Sequence, residues 1–172
     1  MVSAAAAKLL AAWIAAGSDA RPPGRRDLQP ETMPEILADI WLMDYLPDVA
    51  RLRYRLAGEN IRARYGRTLV DRYLEDFLPP NGRERVVPYY LACVQKPAVC
   101  MVIGRLYVER ARPGYGERLL LPLLDAAGTA EGLLGITICK QDFDSQEEAE
   151  ARAKRLTVVL PLDGSPASEI PG

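Results

Sequence analysis

The residues of this sequence that suit acid–base or metal chemistry are few and poorly spaced for it. The 172-residue chain contains no histidine, which excludes Ser-His-Asp and Cys-His relays as well as imidazole ligands for haem iron or zinc. Glu75 and Asp76 are adjacent, and neighbours on a helix point in different directions, so they do not form the carboxylate pair of a glycosidase. The acids between Asp142 and Glu148 lack the glycine and the spacing of a calcium loop. We therefore expect no metal site and no resident cofactor.

The three cysteines are Cys93, Cys100 and Cys139. Their odd number and unpaired spacing argue against a disulfide framework or a zinc cage and favour reduced thiols, as in a cytoplasmic protein. Cys93 and Cys100 could sense oxidants or form a flavin adduct. Because free cysteine most often behaves as a small buried apolar residue, we favour a packing role for both.

Four arginines surround two closely spaced glycines, at Arg55, Arg62, Arg64 and Arg67. Such a cluster could bind a carboxylate or a phosphate. The competing interpretation is a solvated helix face. Arg67 follows the glycine that ends the predicted helix, so it is the arginine that we expect to be engaged structurally, with carbonyl groups at the helix end.

The overall charge gives no reason to expect a polyanionic partner. The chain has 22 basic and 23 acidic side chains, so no net field draws it to nucleic acid or to an anionic membrane. Residues 2–16 are apolar and rich in alanine, but they contain Lys8, lack a basic segment before them and are too short to span a bilayer. We expect a cytoplasmic protein without a membrane segment.

Hydrophobic periodicity predicts two strands, a helical segment and three further strands, flanked by terminal helices. The strands are expected at residues 40–46, 53–57, 98–110, 117–125 and 133–139, and the main helices at 59–65 and 82–94. An N-terminal helix over residues 3–16 should bury Trp13 against the free face of the sheet or across a dimer interface, because a short helix is marginal alone in water. Acidic residues before basic ones predict a C-terminal helix within 145–160. Residues 161–172 are rich in Pro, Gly and Ser and should be disordered.

Several short motifs resemble the stand-alone PAS-like sensor domains found mainly in alphaproteobacteria. The matching residues are Trp13, Asp27-Leu28-Gln29-Pro30, the apolar segment from Leu37 to Tyr45, Arg55-Leu56-Ala57-Gly58, Tyr65-Gly66-Arg67 and Leu119-Leu120-Leu121-Pro122-Leu123. The resemblance implies an α+β fold in which a helical insert, residues 59–94, covers one face of a five-stranded antiparallel sheet. On this view residues 1–30 form an N-terminal helix and linker, 31–144 the PAS-like domain, 145–160 a C-terminal helix and 161–172 a tail.

A ligand site, if there is one, is expected beneath the insert. Aromatic rings with hydroxyl tips suit a mainly apolar pocket with a few fixed hydrogen bonds. We predict that such a pocket is bounded by Tyr54, Tyr65, Tyr90, Cys93 and Ile103. Alternation along residues 100–108 leaves open which set of side chains faces the insert, and the alternative to an open pocket is a filled core.

The leading functional hypothesis is a sensory or regulatory PAS-like domain that is not an enzyme and has no output domain. It would bind a small ligand or a signalling partner, and we expect a homodimer. One rival is an α+β cone enzyme, an isomerase or dehydratase, which would need a buried carboxylate from among Glu109, Glu117 and Asp125. The other is a structural dimerisation module that uses the helix carrying Leu9 and Trp13.

Overall fold

The structure is a computed structural model that describes residues 2–18, 21–106, 114–143 and 154–171. Its helices are α1 (Ala4–Ala16), α2 (Glu59–Tyr65) and α3 (Pro80–Gln95). Its strands are β1 (Ile40–Leu46), β2 (Arg51–Ala57), β3 (Ala98–Arg105), β4 (Gly114–Leu124), β5 (Ala130–Asp142), β6 (Leu156–Pro161) and β7 (Ser168–Pro171). Short 3₁₀ turns lie between α1 and β1, between β1 and β2, and at Leu74–Phe77 before α3. None of the described helices is long and apolar enough to cross a bilayer.

The seven strands of the described residues belong to one antiparallel sheet in the order β2-β1-β5-β4-β3-β6-β7. The α+β class, the antiparallel pairing and the helical insert between the second and third strands agree with the sequence prediction. The predicted number of five strands is wrong, because β6 and β7 extend the sheet beyond β3.

The two additional strands replace features that the sequence analysis predicted differently. The sequence predicts a C-terminal helix that extends through residue 160 and a disordered tail over residues 161–172. In the structure Leu156–Pro161 pairs with β3, and Ser168–Pro171 pairs with β6. Thr157 and Val159 are buried while Leu156 and Leu160 are exposed, which is the alternation of a strand with one covered face. Residues 145–153 of the predicted helix lie outside the described residues, and residues 154 and 155 are described without helical structure.

One face of the sheet, called here the α1 face, is covered by the N-terminal helix. Leu9 and Trp13 pack against leucines of β4 and against Ile136 of β5. The Trp13 indole Nε1 donates a 2.9 Å hydrogen bond to the carbonyl oxygen of Pro122. Ser3 caps the helix by accepting a hydrogen bond from the Ala6 N–H. Trp13 is therefore buried, as predicted, and the surface that buries it is the sheet of its own chain.

The opposite face, called here the insert face, is covered by α2, the Leu74–Phe77 turn and α3. Helix α3 packs across β3, β4 and β5. Helix α2 ends at Gly66, which has φ of 62° and whose N–H donates to the carbonyl of Arg62. This is the left-handed C-cap that the sequence predicts, and it turns the chain back toward the sheet.

Candidate functional site

Four of the five predicted pocket residues lie together on the insert face. Tyr54, Tyr90 and Cys93 are buried in the core between the insert and the sheet, and Tyr65 is half-buried at its edge. Ile103 is not with them. Strand β3 directs Cys100 and Val102 into that core, so the alternation of the strand places Ile103 on the α1 face. The inclusion of Ile103 is therefore wrong, because sequence periodicity does not say which set of side chains faces the insert.

The side chains at the predicted pocket pack against one another. The ring centroids of Tyr90 and Trp41 are 5.8 Å apart, and those of Tyr54 and Phe77 are 5.6 Å apart. A hydrogen bond with Cys100 and burial together raise the pKa of the Cys93 thiol, so this cysteine is a neutral packing group rather than a thiolate. The volume around Tyr54, Tyr90 and Cys93 is a filled core, the alternative that the sequence left open.

A buried polar network that the sequence analysis did not identify lies beside this core. The Arg118 Nε donates to Thr137 Oγ1 at 3.0 Å, and its Nη1 donates to the hydroxyl of Tyr90 at 3.0 Å. The indole Nε1 of Trp41 donates to the same Thr137 oxygen at 2.9 Å. We call Arg118, Thr137, Tyr90 and Trp41 the Arg118 network. It joins α3 to the three adjacent strands β1, β5 and β4.

Strand pairing places each member of the network. Trp41 lies opposite Gly135 on β5, and its indole ring occupies the space above that glycine, where a Cβ would come within 2.1 Å of the ring. Arg118 lies opposite Thr137. Arg118 also shares the insert face with Leu120, two residues along β4. A charged residue at an inward position of a leucine-rich strand was the available sequence signal for this network.

A cleft of about 320 Å³ opens beside the network, between α2 and β5. We call it the α2–β5 cleft. Its walls include Asp39, Asn60, Arg64, Cys139 and Asp142, and Thr137 of the network also lines it. The volume is near the lower end of the range for small-molecule sites, roughly 300–1,000 Å³.

The walls of the cleft are polar and held in place by one another. Arg64 forms an ion pair with Asp142, and the Asn60 side-chain amide donates to Asp39 at 2.8 Å. Burial raises the pKa of the Cys139 thiol, although Arg64 acts in the opposite direction. The cleft therefore offers hydrogen-bond donors and acceptors, both charged and neutral. Its cysteine is not activated as a nucleophile.

The arginine cluster expected around the two glycines is dispersed. Arg55 lies 3.6 Å from a carboxylate oxygen of Asp44, Arg64 lines the cleft, and Arg62 is exposed. Arg67 is structurally engaged, as predicted, but its Nη2 donates to the carbonyl of Asp76 at 2.7 Å rather than to the end of its own helix. These four side chains do not form a common site.

The carboxylates that the enzyme hypothesis would use do not line the α2–β5 cleft where the structure describes them. Glu117 is buried, but on the α1 face, where it accepts hydrogen bonds from the Ser3 N–H at 2.8 Å and from Lys140 at 3.0 Å. Burial acts to raise its pKa, yet these partners hold the pKa below its ordinary value. Asp125 accepts hydrogen bonds from the N–H groups of its own turn, and Glu109 lies outside the described residues. Within the described part of the chain no group of three or more cysteine, aspartate or glutamate side chains could hold a metal ion.

Comparison with known proteins gives one result. No curated protein and no solved structure matches the chain. A family model described as a PAS domain matches residues 1–138, a range that includes α1, the insert and the first four strands with most of β5. Strands β6 and β7 lie beyond it. The match agrees with the resemblance seen in the sequence motifs and with the covered antiparallel sheet, and the chain therefore belongs to the PAS domain family.

Proposed function

We propose that this protein is a sensory or regulatory module that binds a small polar ligand in the α2–β5 cleft. The observation that carries the proposal is that Thr137 both lines the cleft and accepts two hydrogen bonds within the Arg118 network. A ligand in the cleft would contact α2 of the insert directly. Through Thr137 it would also affect side chains of α3 and β1.

The chemistry of the cleft indicates the kind of ligand. A guanidinium, an amide, a hydroxyl, a thiol and two carboxylates line it, so a molecule with both donors and acceptors fits better than a hydrocarbon. A ligand shifts a conformational equilibrium only when it binds the two states with different affinity. Competition of the ligand with the Arg64–Asp142 ion pair or with the bonds to Thr137 would provide that difference.

A protein partner is the second candidate, and a specific feature favours it. On the α1 face, β6 leaves Leu156 and Leu160 exposed at 40% and 50%. Their cross-strand neighbours on β3 are Ile103 and Val99. Exposed leucines beside half-buried apolar side chains suit a protein contact, and the expected homodimer would use this surface. Sedimentation of the purified chain over a range of concentrations tests it.

Native mass spectrometry of the purified full-length chain tests the ligand proposal. We expect an added small-molecule mass in the native spectrum that is lost on denaturation. Ala63 lines the cleft and is exposed on α2, so Ala63→Phe should fill the cleft and abolish the added mass. Ala11→Phe places the same side chain on an exposed position of α1 and should leave binding unchanged.

Two results would contradict the ligand proposal. One is wild-type protein that carries no added mass and whose Tm does not respond to any compound in a metabolite screen. The other is an Ala63→Phe variant that retains the ligand as well as the Ala11→Phe control does. Circular dichroism spectra of both variants establish that they are folded before binding is compared.

A further inference from the structure

One carboxylate on the wall of the α2–β5 cleft has no positively charged partner among the described residues. Asp142 forms an ion pair with Arg64, so these two charges balance each other. Asp39 is half-buried, and its Oδ1 atom accepts a hydrogen bond from the neutral amide of Asn60. The wall at Asp39 therefore carries a negative charge that a cation in the ligand would pair with.

The hydroxyl of Thr137 has a donor that its partners do not use. A hydroxyl offers one donor and two acceptor lone pairs. The Trp41 Nε1 and the Arg118 Nε can only donate, and they occupy both lone pairs of the Thr137 oxygen at 2.9 and 3.0 Å. The hydroxyl proton therefore needs a third group as its acceptor, and no described residue supplies one. Because Thr137 lines the cleft, an oxygen of the ligand would complete its hydrogen bonds.

The charge of Arg118 indicates which kind of oxygen suits this position. Arg118 does not line the cleft, but its guanidinium is bonded directly to Thr137, which does. A bond from a charged donor polarises the hydroxyl and strengthens it as a donor in turn. A negatively charged oxygen would also be attracted to the buried guanidinium. A carboxylate is therefore favoured over a neutral hydroxyl or amide as the acceptor.

We propose that the ligand of the α2–β5 cleft is a free amino acid in its zwitterionic form, an inference that rests on the proposed function and names its ligand class. The ammonium group binds Asp39, and the carboxylate accepts the proton of the Thr137 hydroxyl. Each charge of the zwitterion is then opposite in sign to the nearest charge of the protein, Asp39 or Arg118. Ile61 and Ala63 also line the cleft and offer apolar contact to the side chain of the amino acid.

Thermal unfolding of the full-length chain with single amino acids tests the inference. The panel consists of the common L-amino acids and β-alanine, each compared with buffer alone. We expect at least one of them to give a saturable rise in Tm, about 3–5 °C at roughly ten times Kd, because a ligand that binds only the folded state stabilises it. The N-acetyl form of that amino acid lacks the ammonium, and the corresponding amine lacks the carboxylate. Each should bind at least about tenfold more weakly, the loss expected when a charge-assisted hydrogen bond is removed.

Matched variants assign the two contacts to residues. Asp39→Asn removes the negative charge but keeps an oxygen that can accept the bond from Asn60, so the variant should fold and lose at least about tenfold in amino acid affinity. Glu59→Gln removes an exposed carboxylate at the start of α2 and should bind as the wild type does. Thr137→Ser keeps the hydroxyl and should retain binding, whereas Thr137→Val should weaken it. If Thr137→Val does not fold, the comparison of the amino acid with its amine decides the carboxylate contact.

The outcomes separate this inference from the proposed function. The inference is overturned if no amino acid of the panel raises the Tm, if the N-acetyl form or the amine binds equally well, or if Asp39→Asn binds as tightly as Glu59→Gln. An added mass that the native spectrum shows for the wild type but not for Ala63→Phe, and that is not the mass of an amino acid, would retain the cleft as a ligand site and reject the amino acid. A rise in Tm that Ala63→Phe leaves unchanged would place the binding outside the cleft and would overturn the inference as well.

Discussion

The two faces of the central sheet are built from the same strands but differ in chemistry. Along β4, Leu119, Leu121 and Leu123 point to the α1 face and are fully buried under apolar side chains. One residue away, Arg118 points to the insert face, where it meets Thr137 and a tyrosine hydroxyl. The α1 face therefore has the composition of a packing surface, whereas the insert face places charge and hydroxyl groups inside the core.

The difference has a consequence for where function is found. Burying a charge costs free energy that hydrogen bonds must offset, and a hydrophobic substitute is often at least as stable. The α1 face contributes mainly burial of apolar area, and its buried carboxylate, Glu117, is bonded to the Ser3 N–H and to Lys140. The insert face gives up part of that stability, and it is the face on which the α2–β5 cleft lies. Polar groups that stability does not require are candidates for recognition.

The largest effect should come from the α1 face. We expect Trp13→Ala to lower the free energy of unfolding by about 3–5 kcal/mol, because it removes a buried aromatic ring and its hydrogen bond to Pro122. Ile14, the next residue along the helix, is 62% exposed, and Ile14→Ala should change stability by less than about 0.5 kcal/mol. Urea unfolding measures both. A loss below about 1 kcal/mol for Trp13→Ala, or a change in its sedimentation at unchanged stability, would show that Trp13 serves an interface instead.

The features that the sequence predicted correctly depend on local patterns. Gly66 after a helical repeat predicts the end of α2, and an alanine-rich helix with one tryptophan predicts a docked helix. The predicted number of strands is wrong because the charge order of residues 145–155 favours a helix, and the prediction continues that helix through residue 160. The run Leu156-Thr157-Val158-Val159-Leu160 is rich in β-branched residues and alternates in burial, so it carried a strand signal of its own.

The site was harder to predict because it depends on which face each strand presents. Alternation groups Ile103 with Met101 and groups Val102 with Cys100, but only the packing of α3 decides which group lies beneath the insert. The Arg118 network requires β1, β4, β5 and α3 together, and no sequence spacing relates Trp41 to Thr137.

An intermediate effect should come from the hydroxyl of Tyr90. Tyr90→Phe keeps the ring that stacks on Trp41 but removes the acceptor of the Arg118 Nη1 bond, so we expect a loss of about 1.5–3 kcal/mol, the range for hydrogen bonds to charged groups. Tyr45 provides the matched control, because its hydroxyl accepts a 3.0 Å bond from Gln95 at an exposed position. Tyr45→Phe should cost less than about 0.5 kcal/mol. Urea unfolding measures both losses. Equal losses in the two variants would mean that burial does not increase the contribution of the Arg118–Tyr90 hydrogen bond to stability.

The smallest effect concerns the buried carboxylate of the α1 face and depends on pH. Hydrogen bonds from Ser3 and Lys140 outweigh burial and hold the pKa of Glu117 below its ordinary value of 4.5. Between that value and the lower folded-state pKa, the unfolded chain binds more protons than the folded chain, so the contribution of Glu117 to stability is present above about pH 4.5 and is lost as pH falls through this window.

Glu117→Gln should therefore lower the free energy of unfolding by about 1 kcal/mol at neutral pH. The difference in this free energy between variant and wild type should shrink as the pH falls below about 4.5. Glu59→Gln, which changes an exposed carboxylate on α2, should follow the wild-type curve throughout. Urea unfolding of the three proteins across this pH range provides the measurement. A Glu117→Gln difference that stays constant with pH would show that the carboxylate charge does not hold the start of α1 against β4, and the α1 face would then be held by its apolar contacts alone.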